Sequence, residues 1–248
     1  MTNRIDVKFE ALRGAGCKAF VAFITAGDPD LRTTEELVLA FEDSGVDIVE
    51  LGVPFSDPLA DGPTIQAASY RALKNGTTLE KILKTVARIR KRTALPLALM
   101  TYYNPVFHFG EEAFVAACEE AGVDGVIIPD LPPEEAGTLI SSARHLGVAT
   151  VFFVAPTTRE ERLGLITRSA TGFIYYVSVA GVTGARTVLP ADILRHVRAV
   201  KQACQTPVCV GFGISTPEQI RTISRAADGV IVGSAIIKEI EKHAGRST

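Results

Sequence analysis

Short apolar runs alternate with helical segments about eight times along the 248 residues, and no other feature constrains the fold as strongly. This alternation argues for parallel strands joined by crossover helices. Most of the runs are apolar throughout, as expected of strands that are covered on both faces. The predicted strands are Ala19–Thr25, Asp47–Leu51, Leu97–Tyr102, Gly125–Pro129, Thr150–Ala155, Gly172–Ser178, Val208–Gly211 and Val230–Gly233.

Three predicted helices end at a glycine, which suits a left-handed C-terminal cap. They are Thr33–Ser44 before Gly45, Glu111–Ala121 before Gly122, and Glu134–Leu146 before Gly147. The segments around these glycines are similar, as in Ser44-Gly45-Val46-Asp47 and Ala121-Gly122-Val123-Asp124. This weak repeat is consistent with a barrel built from like units.

Residues 1–248 are therefore predicted to form a single α/β domain, a (β/α)8 barrel, for which about 250 residues is a typical length. A doubly wound open sheet also alternates strands and helices, but it usually places a glycine-rich phosphate loop after its first strand. Here the glycine clusters come late in the chain. Their position favours the barrel.

The charge balance excludes several kinds of partner. With 26 Lys and Arg against 28 Asp and Glu, the net charge is -2, so we expect neither nucleic acid nor an anionic membrane as a partner.

The first ten residues are polar and no apolar run approaches the ~18 residues of a membrane span, which predicts a cytoplasmic protein. The four cysteines show no C-x-x-C spacing and the four histidines do not cluster, so we expect no metal site and no disulfide framework.

The second predicted strand carries Glu50 near its C-terminal end, where barrel enzymes place their active sites. Apolar neighbours should raise the pKa of this carboxyl towards a value useful for proton transfer. The alternative is a structural ion pair with an arginine on another strand. The next loop adds Asp57 and Asp61, either of which could be only a turn or N-cap residue. Beside Glu50 they gain a second interpretation, because two carboxylates in different environments can divide proton donation and acceptance.

Glycines cluster in the last three predicted loops, Ala180–Arg186, Gly211–Ser215 and Gly233–Ala235. They offer backbone N–H groups at or near helix starts, where the helix dipole favours a phosphate. Each cluster alone could serve a plain tight turn. Together they predict phosphate-binding loops after strands 6, 7 and 8, a common arrangement in barrel enzymes.

The predicted strand ends carry no lysine for a Schiff base and no clustered histidines for a metal-dependent aldolase. With these two mechanisms set aside, the sequence favours acid-base chemistry by carboxylates on a phosphorylated substrate. Several large side chains near the strand ends could hold an uncharged ring, although such residues more often form ordinary core. They are Phe23, Met100, Tyr102, Tyr175 and Phe212.

Five motifs, in order over nearly the whole chain, resemble the alpha subunits of tryptophan synthase. They lie at Ile24–Pro29, Glu50–Pro63, Tyr103–Pro105, Gly181–Gly184 and Gly211–Ile214. The second of these motifs is specific to that family among phosphate-binding barrels. The family's final helix is expected to run longer than the residues after His243 allow.

The resemblance implies a lyase that cleaves indole-3-glycerol phosphate to indole and D-glyceraldehyde 3-phosphate, the alpha reaction of L-tryptophan biosynthesis. Glu50 would shuttle protons between the glycerol hydroxyl and indole C3, and Asp61 would steady the indole N–H. Tyr175 would line the site and Tyr176 would face away, because strand side chains alternate. The other substrate-binding residues would be Phe23, Met100, Tyr102, Thr183 and Phe212, with the phosphate on the N–H groups of Gly184, Gly213, Gly233 and Ser234.

The resemblance also implies a partner, the tryptophan synthase beta subunit, in an α2β2 heterotetramer. No cofactor is expected in this chain, and pyridoxal phosphate would belong to the partner. Two loops independently suggest a contact surface, because Pro54–Pro58 and Asn104–Gly110 place apolar side chains at the predicted active-site face. Alternatively, Phe107 and Phe109 fold back onto their own barrel rim.

Two other functions stay open. One is another phosphate-binding barrel enzyme, such as an isomerase, an epimerase or indole-3-glycerol phosphate synthase, although the last would need a strand-end lysine. The other is a non-catalytic subunit that binds a sugar phosphate and regulates a partner. The pair Glu50 and Asp61 argues against the second alternative.

Overall fold

The strands close into a barrel. A computed structural model describes residues 3–177, 192–211 and 213–244. Eight parallel strands follow one another in sequence order, and β8 pairs with β1 to close the sheet, so the predicted (β/α)8 barrel is confirmed. The strands are β1 (Ala19–Thr25), β2 (Ile48–Gly52), β3 (Leu97–Met100), β4 (Gly125–Ile127), β5 (Ala149–Val154), β6 (Ile174–Val177), β7 (Val208–Gly211) and β8 (Gly229–Val232).

Helices surround the barrel and connect its strands. Within the described ranges they are α1 (Arg4–Gly14), α2 (Leu31–Asp43), α3 (Pro63–Lys74), α4 (Leu79–Arg90), α5 (Tyr103–Phe109), α6 (Glu111–Ala121), α7 (Gly137–Leu146), α8 (Glu160–Ser169), α9 (Ile193–Ala203), α10 (Pro217–Ile223) and α11 (Ser234–His243). None of these helices is long and apolar enough to cross a membrane.

The glycines predicted to follow three helices in the left-handed conformation are confirmed, and two predicted helix starts are wrong. Gly45, Gly122 and Gly147 follow their helices with φ of 83°, 84° and 72°, which glycine adopts without strain. Helix α2 begins two residues earlier than predicted, because Asp30 caps it by accepting from the Thr33 N–H at 2.7 Å. Helix α7 begins at Gly137 and not at Glu134.

The segment Asn104–Gly110, expected as a loop, lies almost entirely in helix α5. Strand β3 therefore ends at Met100, two residues before the predicted end, and Tyr102 becomes the N-cap residue of the helix. Gly110 ends the helix with φ of 88°. Apolar side chains in this segment are thus displayed by a helix.

The repeated Gly-Val-Asp segments have a structural role at the N-terminal ends of the strands. Asp47 precedes β2 and accepts a hydrogen bond from the Phe20 N–H of β1 at 2.9 Å. Asp124 precedes β4 and accepts from the Leu97 N–H of β3 at 2.8 Å. Asp228, before β8, accepts a hydrogen bond from a backbone N–H of β7, and the hydroxyl of Thr171, before β6, accepts one from a backbone N–H of β5. Each even-numbered strand is thus joined to the preceding strand by a side chain.

Two layers of apolar side chains fill the molecule. An outer layer lies between the sheet and the helices, and an inner layer fills the barrel. Helix α1 contributes Ile5 and Phe9 to the inner layer, where Phe9 packs against Phe173 of the barrel. The N-terminal end of the barrel is thereby covered, and the C-terminal end is left to carry a site.

Candidate active site

A cavity of about 270 Å³ opens at the C-terminal ends of the strands. It is lined by seven residues that the sequence predicted for the site: Phe23, Asp61, Met100, Tyr175, Gly213, Gly233 and Ser234. Glycines make room for two of the rings. A Cβ at Gly52 would lie 2.6 Å from Phe23 Cζ, and a Cβ at Gly211 would lie 2.5 Å from Tyr175 Oη. Larger residues at these glycines would displace the walls of the cavity.

Sequence reasoning missed several wall residues. Ile231 lies two positions before Gly233 in β8, so strand alternation could have identified it. Ile65 comes from the start of α3 and Ile214 from the turn after β7, where no strand pattern points into the barrel. Lys238 and Lys242 of α11 also line the cavity, and their helical positions gave no signal.

Glu50 and Tyr102 are the two predicted site residues within the described ranges that do not line the cavity. Tyr102 is buried beside the β2–α3 loop, with its ring stacked on Phe55 at a centroid distance of 5.3 Å. Thr183, Gly184 and Phe212 lie outside the described residues. Tyr176 packs in the outer layer while Tyr175 packs in the inner one, as strand alternation predicts.

Glu50 is the most unusual side chain of the barrel interior. It lies in β2 between Phe23 of β1 and Ala98 of β3, with no exposed surface. Neither of its carboxyl oxygens has a hydrogen-bond partner among the described residues, so the alternative of a structural ion pair with an arginine finds no support. Burial, and then the charge of Asp61, raise its pKa from 4.5 to about 8.

Asp61 provides a second carboxyl in a different environment. It ends the β2–α3 loop, is 6% exposed and lines the cavity. Burial raises its pKa from 3.8 to about 6, against a hydrogen bond with Tyr102 that lowers it. Asp57, in the same loop, is exposed and bonds only to the neighbouring Ser56 hydroxyl among its described contacts, which fits a turn residue. Near pH 7 the two site carboxyls are therefore expected to differ in charge, with Glu50 mostly neutral and Asp61 mostly ionised.

Backbone donors are available at the start of helix α11. Gly233 is its N-cap residue and provides no side-chain cap. The first N–H bonded within the helix is that of Ile237, which donates to the Gly233 carbonyl at 3.0 Å. The N–H groups of Ser234 and its two successors are left for other acceptors, as in helix termini that bind anions. Gly213, with φ of 75°, faces the same cavity.

The titratable side chains do not suggest a metal centre. Across residues 3–177, 192–211 and 213–244, no group of three or more His, Cys, Asp or Glu is arranged to hold a metal ion. Cys118 and Cys209 are buried free thiols, and burial raises the pKa of both. These thiols have the character of core residues.

Comparison with known proteins gives one consistent result. The profile of the family described as Tryptophan synthase alpha chain matches residues 9–248. The tryptophan synthase alpha chain of Geobacter sp. (strain M21) is 51% identical over 243 residues, which are 98% of this chain and 91% of that protein.

Solved structures agree. Tryptophan synthase subunit alpha of Legionella pneumophila str. Paris superposes with a TM-score of 0.89 at 40% identity, over 98% of this chain and 90% of that one. A chain of the tryptophan synthase α2β2 complex of Pyrococcus furiosus superposes with a TM-score of 0.86 at 43% identity, over 91% of each chain. The chain belongs to the tryptophan synthase alpha chain family.

Proposed function

We propose that this protein is a lyase that splits indole-3-glycerol phosphate into indole and D-glyceraldehyde 3-phosphate, the alpha reaction of L-tryptophan biosynthesis. The observation that carries the proposal is the unpaired, fully buried carboxyl of Glu50, which lies next to Phe23 of the cavity wall. Its raised pKa keeps a proton available at neutral pH for a carbon acid-base step. The family to which the chain belongs supports the same reaction.

The two carboxyls divide the proton transfers. Neutral Glu50 donates its proton to C3 of the indole ring, and the positive charge that develops at the ring nitrogen is stabilised by the carboxylate of Asp61. Glu50, now ionised, accepts the proton of the glycerol hydroxyl next to the ring. The C–C bond breaks, its electron pair returns to the indole ring, and the aldehyde leaves. Glu50 ends the cycle protonated, so the protonated ring serves as electron sink and no cofactor is consumed.

The other site residues bind and orient the substrate. Phe23, Met100 and Tyr175 form apolar walls against which the indole ring fits. The phosphate is held by the N–H groups of Gly213, Gly233 and Ser234, where α11 begins. Thr183, Gly184 and Phe212 are proposed as further contacts on the basis of the family motif.

Glu50 also argues against a non-catalytic sugar-phosphate-binding subunit. An ionisable carboxyl left unpaired in the core lowers stability, and binding of a sugar phosphate at α11 does not require one. An isomerase or epimerase would leave the apolar half of the cavity without a ligand group to contact. Neither alternative is favoured by an observation of this structure.

Indole release from indole-3-glycerol phosphate by the purified chain tests the reaction. We expect the parent to release indole, and Asp61→Asn to lose most of this activity while keeping its fold. Asp57→Asn is the matched control, because Asp57 lies in the same loop but is exposed. Equal activity of Asp61→Asn and the parent would return Asp61 to the role of a turn residue.

We further infer that the chain docks with a tryptophan synthase beta subunit, as α2β2, with pyridoxal phosphate in the partner and the assembly in the cytoplasm. A related chain occurs in the α2β2 complex of Pyrococcus furiosus. Leu59 and Phe107, which follow β2 and β3 at the active-site end, are 80% and 69% exposed. Phe109 instead packs edge-on against Phe114, so only part of the predicted apolar surface folds back. Exposed large apolar side chains at the cavity end favour a covering partner, which could also retain indole.

Size-exclusion chromatography with the cognate beta subunit tests docking. We expect a complex of higher mass, and Phe107→Ser should weaken it without reducing indole release by the free chain. If the partner favours the substrate-bound form, substrate must strengthen partner binding by the same factor. A chain that stays separate from the beta subunit at all concentrations, with or without a substrate analogue, would refute the assembly.

A further inference from the structure

The β2–α3 loop, which runs from Pro54 to Gly62 and carries Asp61, is attached to the barrel through Tyr102. The hydroxyl of Tyr102 accepts a hydrogen bond from the Ala60 N–H at 2.9 Å. Its ring stacks on Phe55 near the other end of the loop, with an interplanar angle of 29°. The same hydroxyl lowers the pKa of the neighbouring Asp61 carboxyl, as a hydrogen-bond donor does. One side chain thus contacts the loop at both ends.

The hydrogen-bonding capacity of the Tyr102 hydroxyl matches these partners. A phenol has one proton to donate and lone pairs to accept with. It accepts from the Ala60 N–H, so the loop backbone next to Asp61 is fixed relative to the ring, and its own proton is left for the Asp61 carboxylate. Donation to a carboxylate is charge-assisted and stronger than a neutral hydrogen bond.

Tyr102 is itself held rigidly. It is 4% exposed and is the N-cap residue of α5. The Thr101 N–H before it donates to the Ile127 carbonyl at 3.0 Å, and the Tyr103 N–H after it donates to Asp130 Oδ1 at 2.8 Å. The backbone on either side is therefore fixed to β4 and to the loop that follows it. Tyr102 is a rigid support against which the β2–α3 loop is ordered.

We propose that Tyr102 is a positioning residue for the alpha reaction, one that holds the end of the β2–α3 loop so that Asp61 faces the cavity. This inference rests on the proposed function. It assigns Tyr102 a role other than the direct substrate contact predicted from the sequence, since the ring is directed at the loop and Tyr102 is not among the described residues that line the cavity.

The Tyr102 hydroxyl affects the charge of Asp61. Burial raises the pKa of Asp61 to about 6, and the hydrogen bond from Tyr102 works against this rise. Removing the hydroxyl should therefore raise the pKa of Asp61 further, so that a larger fraction is neutral near pH 6.5. A neutral Asp61 cannot stabilise positive charge on the ring nitrogen. The loss of activity should be large at low pH and should shrink as pH rises.

The test is Tyr102→Phe, which keeps the ring stack and removes only the hydroxyl. We expect kcat to fall about tenfold near pH 6.5, the size of effect expected for a hydrogen bond to a charged group, and the loss relative to the parent to shrink to a constant value above pH 8. Tyr103→Phe is the matched control, because its hydroxyl donates to Glu111 at 3.0 Å, away from the cavity. It should stay within about twofold of the parent at every pH.

A second variant tests the opposite direction without disturbing the fold. Placing 3-fluorotyrosine at position 102 keeps the ring and makes the hydroxyl a stronger donor, so the acid limb of the kcat profile should move to lower pH. An activity ratio of parent to Tyr102→Phe that is independent of pH, or an acid limb that fluorination moves to higher pH, would overturn the proposal.

Titration of the Asp61 carboxyl by 13C NMR in the ligand-free protein separates this proposal from the proposed function. The midpoint should be higher in Tyr102→Phe than in the parent and unchanged in Tyr103→Phe. A parent that releases no indole would defeat the proposed reaction, whereas equal Asp61 midpoints in the parent and Tyr102→Phe would defeat the role of Tyr102.

Discussion

Two buried carboxyls lie at opposite ends of the barrel, Asp124 at the N-terminal end and Glu50 towards the C-terminal end. Asp124 is 3% exposed and accepts from Arg4 at 2.8 Å, from Arg90 at 2.9 Å and from the Leu97 N–H at 2.8 Å. Glu50 has no exposed surface and no described partner for either oxygen. One carboxyl is paired by the fold and contributes to its stability. The other is left unpaired, which lowers stability and makes proton transfer possible.

Replacing Glu50 should have the largest effect on activity. Glu50→Gln keeps the size of the side chain but removes the proton that is transferred, so turnover should fall by ~100- to 10,000-fold. Binding of a substrate analogue and the circular dichroism spectrum should stay close to those of the parent. Indole release within threefold of the parent would place Glu50 with Asp124 as a structural residue.

Asp124→Ala should have the opposite effects: it should lower the stability of the fold, and the protein that remains folded should still release indole. Loss of this carboxylate leaves Arg90 without its carboxylate partner in a site where that side chain is 13% exposed, and we expect a loss on the order of 3 kcal/mol in unfolding free energy. For a chain of this size the Tm should fall by roughly 10 °C. Glu36→Gln, which breaks the exposed Arg32 pair, is the control and should change the Tm little. If Asp124→Ala protein that remains folded releases no indole, Asp124 is not a purely structural residue and the contrast with Glu50 is wrong.

The stability of Glu50→Gln should differ from that of the parent in a pH-dependent way. The folded-state pKa of Glu50 is raised from 4.5 to about 8, so ionisation favours the unfolded chain as pH rises from about 4.5 to about 8. Glutamine carries no such ionisation. The variant should therefore match the parent near pH 4 and become more stable than it with rising pH, by on the order of a few kcal/mol, because each pKa unit is about 1.4 kcal/mol. Denaturant unfolding at pH 4, 6 and 8.5 measures this, and a stability difference that does not grow with pH would contradict the raised pKa.

The pH dependence of kcat/KM should show a smaller effect, a loss of activity both below and above neutral pH. Activity needs Asp61 ionised and Glu50 protonated, so kcat/KM should rise with pH through about 6 and fall through about 8. Each limb should approach a tenfold change per pH unit. A profile that keeps rising to pH 9 would show that neutral Glu50 is not the acid.

The carboxyl at the C-terminal end of the barrel could be predicted from the sequence, whereas the ion pairs at the N-terminal end could not. Glu50 was identified because its strand is otherwise apolar, and the glycines after the predicted helices were identified because left-handed caps require them. Asp124 appeared only as the last residue of a weak repeat. Its charged partners Arg4 and Arg90 lie 120 and 34 residues away in sequence, so no local pattern reports them.

The misplaced elements have a related explanation. Helix α5 was expected as a loop because seven residues with Asn and Pro near the start show too little periodicity. The contact of Tyr102 with the β2–α3 loop joins residues 42 apart, and it depends on how closely two neighbouring strand ends approach. Local composition indicates which residue types are available, whereas pairing across the barrel is a property of the closed sheet.

Titration of the Glu50 carboxyl tests directly whether the barrel keeps this group unpaired and protonated at neutral pH for proton transfer. Glutamate labelled with 13C at the carboxyl carbon, assigned by comparison with Glu50→Gln, would report its midpoint in the ligand-free protein. We expect a midpoint near 8. A midpoint near 4.5 would contradict it, because Glu50 would then be ionised at neutral pH and could not donate the proton that begins the cleavage.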